Sequence, residues 1–401
     1  METINDYIDK KLVHSIHTSS RRSFRSCRRR YDLAYRQMYY PLVTPPPLEF
    51  GVAFHAAMEE WYRPEFWQKP TQLDVALQRF KMECDAQLKR YKRLNPNPDQ
   101  EKVNEYKERI ELGLNMIRHY CENMSPEYDN GFTPIKVEIE FEVPITGPTG
   151  EWVWCKCDQC WRRYNAYENL ILGAEAYRNG AWPGLPVTYG GRLDMLAKDD
   201  LGRFWVYDWK TTARLLNEGK EESFLELDDQ VSSYLWALTY YNIRCAGFVY
   251  VEIKKEYPKI PRRLDKTRQY RSFSTDRNTL TTYEMARKTF DEQDHEVYTQ
   301  GFYDDYLNWL RLDGPRFTQR HQIHKNDYEI NQIGLNIYYE AQDIVNSPLI
   351  YPTPGRFSCP SCMYRQVCLG MNQGEDYKYT LNTMFEKKEK HYYEEQKPST
   401  E

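Results

Sequence analysis

The sequence predicts an α/β protein: a small mixed central sheet of about four strands with helices on both faces. Three patterns predict it. Ile135-Lys136-Val137-Glu138-Ile139-Glu140-Phe141-Glu142-Val143 alternates apolar and polar residues, the period of a half-buried strand. Two further strand-like runs, TYGGRLDMLA and RFWVYDWKTT, flank the turn Lys198-Asp199-Asp200-Leu201-Gly202, a hairpin signal with glycine at its end. A helical stretch over about 226–242 then leads into an apolar strand, Ala246–Ile253.

The remaining elements follow in order. A short basic helix opens the chain, and the first fifty residues close in the breaker PLVTPPPLEF. Helical spacing runs from about Phe50 to Tyr62, then over about 71–93 and 98–124, with NPNPDQ between the last two. Residues 144–188 hold Gly, Pro, Trp and three cysteines and read as an insertion. Residues 277–300 look helical and tyrosine-rich, and the tail after about Phe385 is charged. There are no internal repeats.

Composition narrows the class. Of 401 residues, 40% are apolar and 28% charged, which fits a globular chain and not a disordered one. A net charge of −4 argues against a protein that coats nucleic acid, but not against one that grips it in a local groove. No apolar run approaches the ~18 residues of a membrane helix. The first twenty residues lack an apolar core between a basic head and a cleavage site, so an intracellular protein is expected. Two basic clusters could touch phosphate or form solvated faces: Arg21, Arg22, Arg25, Arg28, Arg29 and Arg30, and Lys254, Lys255, Lys259, Arg262 and Arg263. The 34 Tyr, 16 Phe and 10 Trp could stack on unpaired bases, but most should fill core.

Chemistry gathers at the hairpin. Asp208 and Lys210 are two apart on a strand and share a face. Asp194 and Asp208 are nearly equidistant from the turn, so they should face each other across the ladder. Two carboxylates on neighbouring strands make a hard oxygen site for Mg²⁺ or Mn²⁺. Phosphodiester hydrolysis needs that kind of site, to activate water and to neutralise charge on phosphate. Lys210 can orient the water or stabilise the transition state. An isolated D-x-K is more often an ordinary surface ion pair. Gln230 and Tyr234, four apart, share a helix face and could reach DNA or Lys210, or simply pack. His55 alone is more often structural than a ligand. Glu138 and Glu140 could help the site or form the solvent face of their strand, and the second reading is favoured.

Ten cysteines include Cys359-x2-Cys362-x5-Cys368, three thiolates that need a fourth ligand. Cys27 is the best candidate, and joining it to Cys359, 332 positions on, removes a large loop entropy. Zinc and an iron–sulfur cluster both suit such thiolates. Cys155, Cys157 and Cys160 could bind zinc with an unidentified fourth ligand or be free thiols. Cys84, Cys121 and Cys245 look like ordinary buried cysteines.

GRLDM, YDWKTT and DQVSSYLWAL resemble, in order, the G-x-x-D, D-x-K and Q-x-x-x-Y motifs of RecB-like PD-(D/E)XK nucleases. Gly191 and Asp194, Asp208 and Lys210, and Gln230 and Tyr234 carry the match. FGVAFHAAME resembles the family's G-x-x-x-H helix through Gly51 and His55. The resemblance implies a restriction-endonuclease-like core with Asp194, Asp208, Lys210, Gln230 and Tyr234 in catalysis. It implies Mg²⁺ or Mn²⁺ held by His55, Asp194, Asp208 and the Trp209 backbone carbonyl. The cysteine arrangement is similar to that of the AddB nuclease domain and the CRISPR-adaptation exonucleases. That similarity implies a 4Fe–4S cluster on Cys27, Cys359, Cys362 and Cys368, ahead of zinc, stapling the two ends together.

The motifs run from Cys27 to Cys368, so residues 1–383 are expected to form one nuclease domain. Its expected parts are a helical insertion at 56–124, a Cys/Trp-rich insertion at 144–188 and the cysteine segment 355–370, with 384–401 a charged flexible tail. There is no Walker A motif, which leaves a stand-alone nuclease and no helicase engine. The expected activity is exonucleolytic cleavage of DNA at single-stranded ends, leaning 5′→3′. The expected setting is the cytoplasm, in recombination, repair or CRISPR adaptation, with protein partners from those systems, or a phage-infected host. Two alternatives stand beside it: a non-catalytic DNA-end-binding protein that keeps the fold, and a zinc-stabilised RNA- or protein-binding module in which D-W-K is incidental.

Overall fold

Six strands build one mixed sheet in the computed structural model, which describes residues 15–145, 148–155, 160–165, 187–216, 223–264, 271–347 and 349–388. They are β1 (Ser15–Ile16), β2 (Phe132–Pro144), β3 (Thr188–Asp199), β4 (Phe204–Thr212), β5 (Cys245–Lys254) and β6 (Thr318–Ile323). The main helices are α1 (Thr18–Ser26), α2 (Pro46–Trp61), α3 (Gln72–Leu94), α4 (Gln100–His119), α5 (Asp229–Thr239), α6 (Tyr283–Gln293), α7 (Asp304–Asp313), α8 (Asp327–Asn346) and α9 (Arg365–Gln373). The α/β class and the mixed sheet between helices are as the sequence predicts. The strand count is larger than the expected four. β1 is two residues long and β6 is the polar run TQRHQI, so neither carries an apolar pattern.

β3 is the spine. β2 runs antiparallel along its whole length, from Phe132↔Asp199 to Pro144↔Thr188. On the other side β4 is antiparallel over Met195↔Tyr207 to Lys198↔Phe204, and β1 is parallel at Thr188 and Tyr189. β5 then lies parallel to β4, and β6 antiparallel to β5. The β3–β4 turn forms because Asp199 accepts the N–H groups of Leu201 and Arg203 and the indole N–H of Trp205. Gly202, at φ +77°, takes the left-handed conformation that closes it.

Alternation sends odd and even residues of β4 and β5 to separate cores. Trp205, Tyr207, Trp209, Val249, Val251 and Ile253 pack on one face, against Phe54, Ala57, Phe80 and Ile117 of α2, α3 and α4. Val206 and Phe248 pack on the other, with Val231 and Leu235 of α5, Ile337 and Ile344 of α8 and Phe24 of α1. α2 is one unbroken helix through residue 56, so the insertion boundary expected there falls inside an element that lies on the sheet. The helix expected over 226–242 breaks at Asp228, whose side chain caps α5 through the Gln230 N–H. The stretch 277–300 resolves into α6 and a short turn, His295–Thr299. Pro148–Cys155 and Cys160–Asn165 pair as a separate antiparallel hairpin. The side chains of Cys155, Cys157 and Cys160, and the tail beyond 388, lie outside the described residues.

Two glycines test this packing in opposite senses. A Cβ on Gly334 of α8 would sit 2.3 Å from the Trp236 indole nitrogen, whereas one on Gly51 of α2 would meet nothing within 4 Å. Gly334→Ala is expected to destabilise by roughly 1–3 kcal/mol through overpacking. Gly51→Ala is expected to stabilise by about 0.5–1 kcal/mol through its helix preference. Guanidinium denaturation of the two variants measures both signs.

Candidate metal and catalytic site

The site lies where β3 and β4 part. Their ladder ends at Met195↔Tyr207, so the next facing pair is Asp194 and Asp208. On the other edge of β3, Val137↔Met195 and Ile139↔Leu193 bracket Glu138, which therefore lies opposite Asp194. Three carboxylates, Asp208, Asp194 and Glu138, thus form one row across three adjacent strands. Glu138 was expected on the solvent face and is not there. A bulge between Pro134 and Lys136 shifts the register of β2, and Glu138 itself adopts φ +47°, a left-handed conformation rare outside glycine. Its side chain is 17% exposed and pairs with Arg192 Nε at 2.7 Å. Glu140 remains exposed.

Asp194 is the junction. Its Oδ2 accepts the Trp209 backbone N–H at 3.0 Å and lies 3.2 Å from His55 Nδ1. The first contact satisfies an amide that the parting strands would otherwise leave unpaired. The second brings α2 to the sheet. One ligand atom each from His55, Glu138 and Asp194 lie within 4.8 Å of one another, and among the described residues no other three His, Cys, Asp or Glu do so. Two carboxylates and an imidazole on rigid elements suit a divalent cation.

Asp208 is engaged differently. Its Oδ1 accepts from Lys210 Nζ at 2.9 Å and from Gln230 Nε2 at 3.1 Å, and its Oδ2 is 2.8 Å from Lys210 Nζ. Gln230 thus holds Asp208, and Tyr234, one turn on, packs edge-to-face on Phe141 at 5.6 Å. Gln230 is itself positioned from α1: Arg22 pairs with Asp228 and Asp229, and Arg25 with Asp229, at the start of α5.

Charge and burial set the protonation states. Burial, reinforced by Asp194, pushes the Glu138 carboxyl up to about 7. Burial also raises Asp208, to about 6, although Lys210 opposes it. For His55, burial works downward, but the charge of Asp194 and its hydrogen bond outweigh it and the pKa rises. Asp194 moves the opposite way: its burial is overcome by His55, which holds it below the usual range. Burial disfavours the Lys210 ammonium, yet Asp208 and Asp194 more than compensate, so it stays charged.

The cysteines converge at the other end of α1. Cys27 caps that helix, and its Sγ accepts the Thr353 N–H at 3.4 Å. Cys359 Sγ accepts the Gly355 N–H at 3.3 Å, and Arg29 donates to Cys368 Sγ at 3.4 Å. Burial raises the Cys362 thiol, with Cys27 and Cys359 close enough to add to the shift. Cys84 and Cys121 are buried and Cys245 is half-buried.

A family model described as PD-(D/E)XK nuclease superfamily matches residues 18–369, which include the acidic row, His55, Lys210 and the four converging cysteines. No curated protein matches the chain.

The raised carboxyls make a pH test. Asp208 goes from 3.8 to about 6 and Glu138 from 4.5 to about 7, so the cation-free fold is favoured while both are protonated. That contribution is complete below about pH 4 and is lost as the pH rises through about 7. A cation needs both groups ionised and His55 neutral, so its stabilisation must grow over the same window. Mn²⁺ is expected to raise the unfolding temperature more at about pH 8 than at about pH 5.5. A larger shift at the lower pH would remove these groups from the metal site.

Proposed function

The chain belongs to the PD-(D/E)XK nuclease superfamily, and on that premise we propose that it is a metal-dependent DNA exonuclease acting at single-stranded ends. The observation that carries this reading is the row Asp208, Asp194, Glu138, with His55 and Lys210 at the same opening between β3 and β4. We assign His55, Glu138, Asp194, Asp208 and the Trp209 carbonyl to Mg²⁺ or Mn²⁺, and Asp208, Lys210, Gln230 and Tyr234 to catalysis and its support. A bound cation would lower the pKa of a coordinated water and neutralise phosphoryl charge. The protein's own part is positional. Gln230 and Lys210 fix the Asp208 carboxylate, and the Lys210 ammonium can donate to a phosphoryl oxygen as charge develops there. Trp209 keeps Asp194 turned toward His55.

The four cysteines we assign to a 4Fe–4S cluster. Four cysteine thiolates suit zinc and a cluster alike, and the similarity of their arrangement to that of iron–sulfur nucleases favours the cluster. Peptide and guanidinium N–H donors aimed at three of the sulfurs suit thiolates bound to a cluster. Iron and acid-labile sulfide in anaerobically purified protein would support the cluster; stoichiometric zinc would replace it. We place the activity in DNA processing, with recombination, repair or CRISPR adaptation as candidate pathways. No described helix is long and apolar enough to cross a membrane.

Asp208→Ala and Lys210→Ala are each expected to reduce Mg²⁺- or Mn²⁺-dependent degradation of end-labelled DNA by on the order of 10²-fold or more. Glu138→Gln is expected to raise the metal concentration needed for half-maximal cleavage. The product ladder on single- and double-stranded substrates reads polarity and strandedness. A cluster-loaded wild type that cuts neither would leave an end-binding protein.

A further inference from the structure

The two basic clusters of the sequence have different fates. Arg21 meets Glu340, Arg22 and Arg25 meet Asp228 and Asp229, and Arg28 meets Asp343. Arg21, Arg22 and Arg25 thus tie α1 to α5 and α8, Arg28 adds a tie to α8 just past Cys27, and Arg29 donates to Cys368 Sγ and Asn372. Lys254 pairs with Glu256. Lys255, Lys259, Arg262 and Arg271 have no ion-pair partner among the described residues, and Arg263 feels only the charge of Asp294.

These five residues sit on one arm between β5 and α6. The Lys255 N–H donates to Thr212 O at 2.7 Å, two residues beyond Lys210, so the arm leaves the sheet at the site's own end. Its two described segments run side by side: Leu264 N–H donates to Ser272 O and Ser274 N–H to Arg262 O, both at 2.8 Å, around the bridge Arg263↔Phe273. The arm is firmly mounted. Phe273 is buried with Phe290 of α6 and Tyr303, and Asp294 accepts from the Ser272 N–H and hydroxyl at 2.9 Å each. Pro258 and Pro261, both buried, fix their own φ angles. Lys259, Arg262 and Arg263 are exposed on this mount.

We propose that this arm binds the phosphate backbone of DNA and leads the strand over α2 into the site between β3 and β4. Exposed cations on an ordered surface are what a polyanion recognises without regard to sequence. The path is open. Lys255 Nζ lies 5.3 Å from the centre of the Phe50 ring, the neighbouring Gly51 has nothing within 4 Å of its Cβ direction, and His55 is one turn further on the same face. Lys255 is also held below its usual pKa, by burial and then by Arg109, a repulsion that phosphate would relieve. The inference rests on the nuclease reading for the direction of the strand, but the arm's affinity for DNA is measurable without cleavage.

The test is fluorescence anisotropy of labelled single-stranded DNA in EDTA, over a KCl series. Wild type is compared with the triple variant Lys259→Ala, Arg262→Ala, Arg263→Ala, and with Arg287→Ala, Lys288→Ala on α6 as a charge control. Each lost phosphate contact should lower the slope of log K against log salt by about 0.7, so the triple variant should lose roughly two units. The control should keep the wild-type slope, and Lys259→Arg, Arg262→Lys, Arg263→Lys should restore it. A triple variant with the wild-type slope, or a control that loses as much, overturns the arm. A slope that falls in the triple variant of a protein that cuts no DNA keeps the arm and removes the nuclease; cleavage with an unchanged slope does the reverse.

Discussion

The structure turns on what happens to one peptide N–H. Where β3 and β4 separate, the amide of Trp209 loses its place in the ladder, and the Asp194 carboxylate supplies the acceptor. The same oxygen reaches His55, so a single atom joins the spine of the sheet, the strand carrying Asp208 and the helix carrying His55. The separation also creates the opening into which the acidic row projects. Burial first, and then repulsion from Asp194, raises the Asp208 and Glu138 carboxyls, and Lys210, Arg192 and His55 offset only part of it. A site of this kind is held against its own electrostatic preference by the packing around it.

That packing lies directly behind the site. The Trp209 ring stacks on Tyr62 at 4.7 Å and its indole N–H donates to Tyr120 at 3.1 Å. Tyr62 in turn bonds to Tyr120 and Asp129, both at 2.7 Å, and Ser125 completes the buried set. On the opposite face, α1 grips the start of α5 and so sets Gln230 against Asp208. The site is thus braced from both sides by parts of the chain that never touch it. Cys27 ends the same α1, so that helix carries a cysteine at one end while its arginines hold the start of α5 beside the acidic row.

Much of this was legible in the residues. The facing of Asp194 and Asp208 could be computed from the hairpin turn because the ladder is free of bulges between them and the loop. Helix spacing placed α2, α3 and α4 within a few residues. Glu138 was hidden because its position depends on a register shift and one left-handed residue, which break the alternation that the reading relied on. Pro134 was the available signal: a proline inside a strand marks an edge or a bulge. β6 was missed because its polar run has no apolar alternation, and β1 because two residues make no pattern. The ion pairs that engage Arg21, Arg22, Arg25 and Arg28 join residues more than 200 positions apart, a distance no local pattern spans.

The contacts between the ends of the chain also govern when the protein comes to life. β1 waits for residues 188 and 189, β5 waits for β6 at 318–323, and Arg29, two residues past Cys27, meets Cys368 only near the end of the chain. At about 5–20 residues per second, the acidic row is synthesised well before the segments that lock α1 in place. A nascent chain therefore holds the acidic row and the packing behind it before α8 arrives to fasten Arg21 and Arg28. The tie between the two ends is thus the last part of the fold that translation allows to form.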